Sequence, residues 1–86
     1  MVLIVFQQVI PLLKQIADDR SVPRNIREKV ENSIKALQDD KEDPKVRIST
    51  AIANLDEASN DVNIPMYTRT QIWNIVTALE ALRQGK

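Results

Sequence analysis

Three arginines, Arg27, Arg47 and Arg69, each stand eight residues after an aspartate: Asp19, Asp39 and Asp61. A guanidinium is a planar fork of donors that fits a carboxylate or a phosphate, so the repeated spacing supports two readings. In one, Arg24, Arg27 and Arg69 contact an anion such as a nucleic-acid phosphate. In the other, each arginine braces a turn against its aspartate. Bracing is the preferred reading, because ion pairs of this kind by themselves imply no chemistry. The other side chains offer little to a reaction. Histidine and cysteine are both absent, which removes the usual general base, the commonest metal ligand and every thiol nucleophile. The acidic run QDDKEDP lacks the alternating oxygen ligands and turn glycine of a calcium loop, so it reads as a solvated connection. A non-enzymatic protein with no metal and no cofactor is expected.

Charge gives no direction either. Lys plus Arg number 12 and Asp plus Glu number 12, so no net field steers the chain toward nucleic acid or an anionic membrane. Arg20, Arg24, Arg27 and Lys29 do cluster, but Asp18, Asp19, Glu28 and Glu31 are interleaved with them. No aromatic platform accompanies them for single-stranded binding. Nucleic-acid binding is therefore the alternative reading. Trp73 lies off the Ile72–Val76–Leu79 stripe on a helical wheel, on a flank shared with Met66 and Arg69. It reads either as an edge-of-core residue or as an anchor in a protein interface, where Trp, Met and Arg are enriched.

The elements that must position these residues are helices. Apolar residues recur at spacings of three and four in four segments, including Ile26–Val30–Ile34–Leu37 and Ile72–Ile75–Val76–Leu79, which is the helical period. One glycine and four prolines leave little material for β-turns. Ser21, Asp43 and Asn63 are candidate caps, and Pro23, Pro44 and Pro65 suit the first helical turn, where a missing N–H costs nothing. Helices are expected near 2–19, 23–39, 44–60 and 65–84, with Pro11 either kinking the first or starting it. The greasy start, MVLIVFQQVIPLL, has no basic region before it and is broken by Gln7, Gln8 and Lys14. It is therefore neither a signal peptide nor a membrane span.

SVPRNIREKVENSIKAL and NIPMYTRTQIWNIVTAL share a proline, an arginine four residues later and a closing Ala-Leu, with Pro23 and Pro65 42 residues apart. A helix, a turn and a second helix therefore occur twice. A hairpin cannot bury its apolar stripe alone, so two must pack together. The expected architecture is an all-α four-helix bundle in one domain over residues 1–86, with hairpins at about 2–39 and 44–84. HEAT repeats place Asp and Arg around their turns in a similar way, so the packing resembles theirs. The segments DDRSVPRNIREKV, KVRISTAIANLDEASND and IPMYTRTQIWNIV, within about residues 12–80, resemble an uncharacterised archaeal family of small helical proteins, number 0147 in the UPF series. That resemblance implies an all-helical, cytoplasmic archaeal protein and brings no activity, cofactor or catalytic residue. The apolar positions of the first helix spread over about half its circumference, wider than a core-facing stripe needs. Its flanking residues Leu3, Val5, Ile10 and Leu12, with Met66 and Trp73, form a candidate interface. A homodimer is the expected association, with an unidentified protein partner also possible.

Overall fold

The computed structural model describes residues 2–84, with side chains from Val5 onward, so the interface expectation for Leu3 lies outside the described residues. Four helices occupy it: α1 Val2–Ala17, α2 Arg24–Leu37, α3 Pro44–Ser59 and α4 Met66–Arg83. Each ends one to two residues earlier than the periodicity suggests at its C-terminus, because the chain there is already committed to a turn. Pro11 lies inside α1, exposed, and so does not start the helix. Its ring deprives Gln7 of a backbone donor, and Gln7 is exposed to water that can replace it.

Only one expected cap forms. Asp43 accepts a hydrogen bond from the Lys45 amide at 2.9 Å, directly ahead of Pro44. Pro23 and Pro65 themselves occupy the cap positions of α2 and α4 without a side-chain bond. Ser21 and Asn63 therefore sit two residues too early to cap. The hydroxyl of Ser21 donates instead to Asp19.

Chain neighbours are neighbours in space: α2 lies against α1 and α3, and α4 lies against α3 and, over a shorter length, α1. The four helices make a compact body of 33 × 21 × 18 Å. Burial repeats along the chain with the same offset as the sequence. Phe6, Val9, Leu13, Ile16 and Ala17 recur 42 positions later as Ile48, Ala51, Leu55, Ala58 and Ser59, all buried. Ile26, Val30, Ser33, Ile34 and Leu37 of α2 recur as Thr68, Ile72, Ile75, Val76 and Leu79 of α4, again all buried. Two of the polar residues in this set, Ser33 and Ser59, bond to main-chain carbonyls. The Ser33 hydroxyl lies 3.1 Å from the carbonyls of both Lys29 and Ala51, which draws α2 close to α3. The Ser59 hydroxyl donates to Asp56 O at 2.9 Å.

Candidate functional site

The three connections are each six residues long and use the same hydrogen bonds. Asp19, Asp39 and Asp61 accept from the amide two residues on, those of Ser21, Lys41 and Asn63, at 2.9, 3.1 and 2.8 Å. Their own carbonyls accept from Val22, Glu42 and Ile64, three residues on. A short carboxylate that reaches its own backbone two residues ahead closes a turn without help from elsewhere.

The arginines brace these turns, but through carbonyls and not through the aspartates eight residues before them. Arg27 Nε donates to Val22 O at 2.9 Å and Arg47 Nε to Glu42 O at 3.0 Å. Arg69 departs from that register and donates to Ser59 O at 3.1 Å. Ser59 is the last residue of α3, so Arg69 satisfies a carbonyl that the helix end leaves open and sets a positive charge at its negative pole. The carboxylate that Arg47 meets is Asp40, at 3.9 Å, not Asp39. Each aspartate gives one oxygen to the amide of its own turn, and the three guanidinium Nε groups go to carbonyls. Asp19 is held below the usual carboxylate range chiefly by the Ser21 hydroxyl, then by the Ser21 amide, with the Arg27 charge adding to them against the cost of desolvation.

Asn25 in the first turn of α2 donates to Asp61, so the α1–α2 and α3–α4 connections share one end of the bundle. The candidate anion contacts thus belong to one end, yet each is engaged within the chain. Arg27 and Arg69 hold carbonyls, and Arg24 meets Glu28 at 3.3 Å along its own helix. Lys29, from the same basic cluster, bridges to Glu57 of α3 at 2.7 Å. The acidic run of the second connection is similarly spent on capping, turn closure and Arg47. Among the described residues no three His, Cys, Asp or Glu side chains gather as a metal site would need.

The apolar candidates separate into two places. Val5 and Ile10 are half-buried and pack against the core, because α1 lies between α2 and α4 and needs a wide apolar arc to meet both. Leu12 stays exposed, on the edge of a groove of about 230 Å³ between α1 and α4, which Val9, Gln71, Asn74, Ile75 and Ala78 also line. Met66 and Trp73 lie elsewhere. At about 100° per residue, Trp73 sits roughly 100–160° around α4 from the groove-lining Gln71, Asn74 and Ala78. Trp73 is 55% exposed and Met66 79%. Among the described candidates, Leu12 and the pair Met66 and Trp73 therefore lie on different faces.

Two further residues belong with Trp73, and apolar patterning overlooks them because both are threonines. Met66, Thr70, Trp73 and Thr77 are spaced four, three and four along α4, which aligns them on one face. The Thr70 hydroxyl donates to Met66 O at 3.2 Å and the Thr77 hydroxyl to Trp73 O at 2.9 Å. With each hydroxyl turned back to the preceding helical turn, the stripe presents carbon to solvent. The signal that could have found it is the repeat. At the matching positions of α2 stand Arg24, Glu28, Glu31 and Lys35, all charged.

Comparison with known proteins supplies a family. A 48% identical relative from Methanothermobacter thermautotrophicus, called a UPF0147 protein, aligns over 92% of this chain and 78% of its own. One from Thermococcus kodakarensis, of the same name, is 49% identical over 90% of this chain and 94% of its own. The crystal structure of a protein from uncharacterized family UPF0147 from Thermoplasma acidophilum superposes with a TM-score of 0.86 at 36% identity, covering 91% of this chain and 92% of that one. None of these names carries a role that could pass to this chain. The family model described as Uncharacterised protein family (UPF0147) matches residues 4–82, and the chain belongs to that family.

Proposed function

We propose that this protein is a non-enzymatic interaction module of the cytoplasm that works through an exposed apolar surface and associates as a homodimer. The observation that carries the reading is Trp73, the single tryptophan, more than half exposed on a helix whose exposed neighbours are uncharged. A small monomer seldom leaves such a residue in water without a use for it. Two helical hairpins packed on one another in the manner of HEAT repeats would supply the rigid support, and the 42-residue register of burial supports that arrangement. Engagement of Arg24, Arg27 and Arg69 within the chain weighs against the phosphate-binding alternative.

Sedimentation equilibrium at micromolar concentration tests the association: the expected mass is that of two chains. Affinity capture of the tagged chain from an archaeal host with nuclease treatment tests the class of partner. Capture that survives nuclease and salt supports a protein contact. Retention of bulk RNA that weakens steeply as salt rises would replace this reading with phosphate binding.

A further inference from the structure

The repeat contains its own control. α2 and α4 bury residues at the same five repeat positions, though Ile26 gives way to Thr68 and Ser33 to Ile75. Their outer stripes then differ completely. On α2, Arg24, Glu28, Glu31 and Lys35 are all exposed, and Arg24 meets Glu28 within the stripe, as a helix face in water usually does. On α4 the same stripe reads Met66, Thr70, Trp73 and Thr77, all exposed, with both hydroxyls turned inward. Core packing cannot account for the substitution, since these side chains do not enter the core.

We infer that a second copy of this chain covers this face, with the two α4 helices antiparallel and Trp73 beside the twofold axis. The inference rests on the homodimer reading above and adds to it the face, the orientation and the central residue. Charge selects the occupant. No exposed charged side chain lies between Arg69 and Glu80, so an acidic peptide, a nucleic acid or an anionic membrane finds no counter-charge there. A twofold interface sets each patch against its own copy, where any charge near the axis would meet its like. A charge-free stripe on a chain of zero net charge suits that arrangement.

The ends of α4 select the orientation. Its first turn has no acidic residue and its N-terminus has no side-chain cap, which leaves the positive end of the helix dipole without a local partner. Met66 and Glu80 are each seven residues from Trp73, on opposite sides of it. An antiparallel pair centred on Trp73 therefore sets each Glu80 carboxylate over the start of the other α4. Glu80 is half-exposed and loosely held, 3.6 Å from Arg83, so it can reach that site. A parallel pair would bring the two Glu80 carboxylates together instead.

The test uses the full chain in solution. Thr70→Glu places a charge on the stripe at a register where α2 already carries Glu28, so the fold tolerates it, and circular dichroism checks this. Sedimentation equilibrium is expected to show dimerisation weakened at least about 30-fold by Thr70→Glu and unchanged by Leu12→Glu in the α1–α4 groove. Trp73 reports the same event: its emission is expected to be blue-shifted and protected from acrylamide in the wild type, and solvent-like in Thr70→Glu. Because the chain has no cysteine, orientation is read by oxidation of mixed single-cysteine chains. Met66→Cys is expected to cross-link to Glu80→Cys and not to itself. A dimer broken by Leu12→Glu and not by Thr70→Glu overturns the face while leaving the homodimer reading intact. A Met66→Cys self cross-link overturns the orientation. A wild-type chain that stays monomeric, with Trp73 quenching independent of concentration, overturns both.

Discussion

Residues 5–37 and 47–79 bury the same register of positions and expose different chemistry. Inside, most matched positions exchange one apolar residue for another, as Val30 for Ile72 or Ile16 for Ala58, and three exchange an apolar residue for a small hydroxyl one: Ala17 for Ser59, Ile26 for Thr68 and Ile75 for Ser33. Outside, a four-residue charged stripe on α2 becomes a carbon stripe on α4. The connections show a milder version of the same contrast. All three use one scheme of Asp-to-amide bonds, yet Arg69 reaches back to α3 where Arg27 and Arg47 stay within their own connections. Packing therefore constrains what faces in and leaves what faces out free to diverge. A function carried by this fold is best sought where matched positions disagree.

The largest expected effect tests the inner half of that comparison. Leu13 and Leu55 are fully buried and occupy the same register. Leu13→Ala and Leu55→Ala should each cost about 2–5 kcal/mol, the usual range for truncating a buried leucine. Because the two sites are matched, their costs should agree to within about 2 kcal/mol, the spread that cavity relaxation gives to leucine truncations. Denaturant titration of both variants measures this, and a difference of several kcal/mol would mean that the repeat in burial does not extend to packing.

A smaller effect belongs to the connections. Arg47 is only 9% exposed, and its Nε bond to Glu42 O ties the start of α3 to the preceding backbone. Arg47→Ala removes that bond and the packing of the aliphatic stem, so it should cost about 1–3 kcal/mol. Arg24→Ala removes only an exposed pair within one helix and should fall within about 0.5 kcal/mol of the wild type. Thermal melts of both variants separate these outcomes. Equal melting temperatures would reduce the brace to a surface contact.

Much of the inside was legible in the sequence because helical burial leaves a periodic trace that needs no knowledge of neighbours. The stripes through Ile26 and Ile72 give the helices, and the offset between Pro23 and Pro65 gives the register. The flanks of α1 were harder. A helical wheel shows that Val5 and Ile10 stand off the central stripe, but it cannot show that α2 and α4 stand close enough to cover them. The bracing role of the arginines was readable from spacing, whereas their acceptors were not. Spacing alone does not choose between a carboxylate eight residues away and a carbonyl five or ten residues away. In the fold the Asp side chains bond to their own turns and the guanidinium Nε groups to carbonyls. The α4 stripe escaped notice because threonine counts as polar until its hydroxyl is seen to bond to the helix itself.

The smallest expected effect separates the first connection from the other two. Asp19 accepts from both the amide and the hydroxyl of Ser21, while Lys41 and Asn63 stand at the matching positions and provide only amide donors to Asp39 and Asp61. The hydroxyl is the main reason that the Asp19 carboxyl lies below its ordinary range, ahead of the amide and the Arg27 charge. A carboxyl favoured as its anion in the folded chain adds stability above the unfolded pKa. That contribution fades as pH falls through the lower folded value, so the window lies below about pH 4. Ser21→Ala deletes the larger bond and keeps the amide, so the Asp19 pKa should rise part of the way toward the ordinary value. Carbon-detected NMR titration of the Asp19 carboxyl in both proteins reads the change directly. The melting temperature of Ser21→Ala should lie slightly below the wild type near neutral pH, by little because the Asp19 side chain is exposed, and the difference should shrink as pH falls through the folded pKa. An Asp19 pKa unmoved by Ser21→Ala would assign the lowering to the amide and to Arg27, and the first connection would then be held as the second and third are.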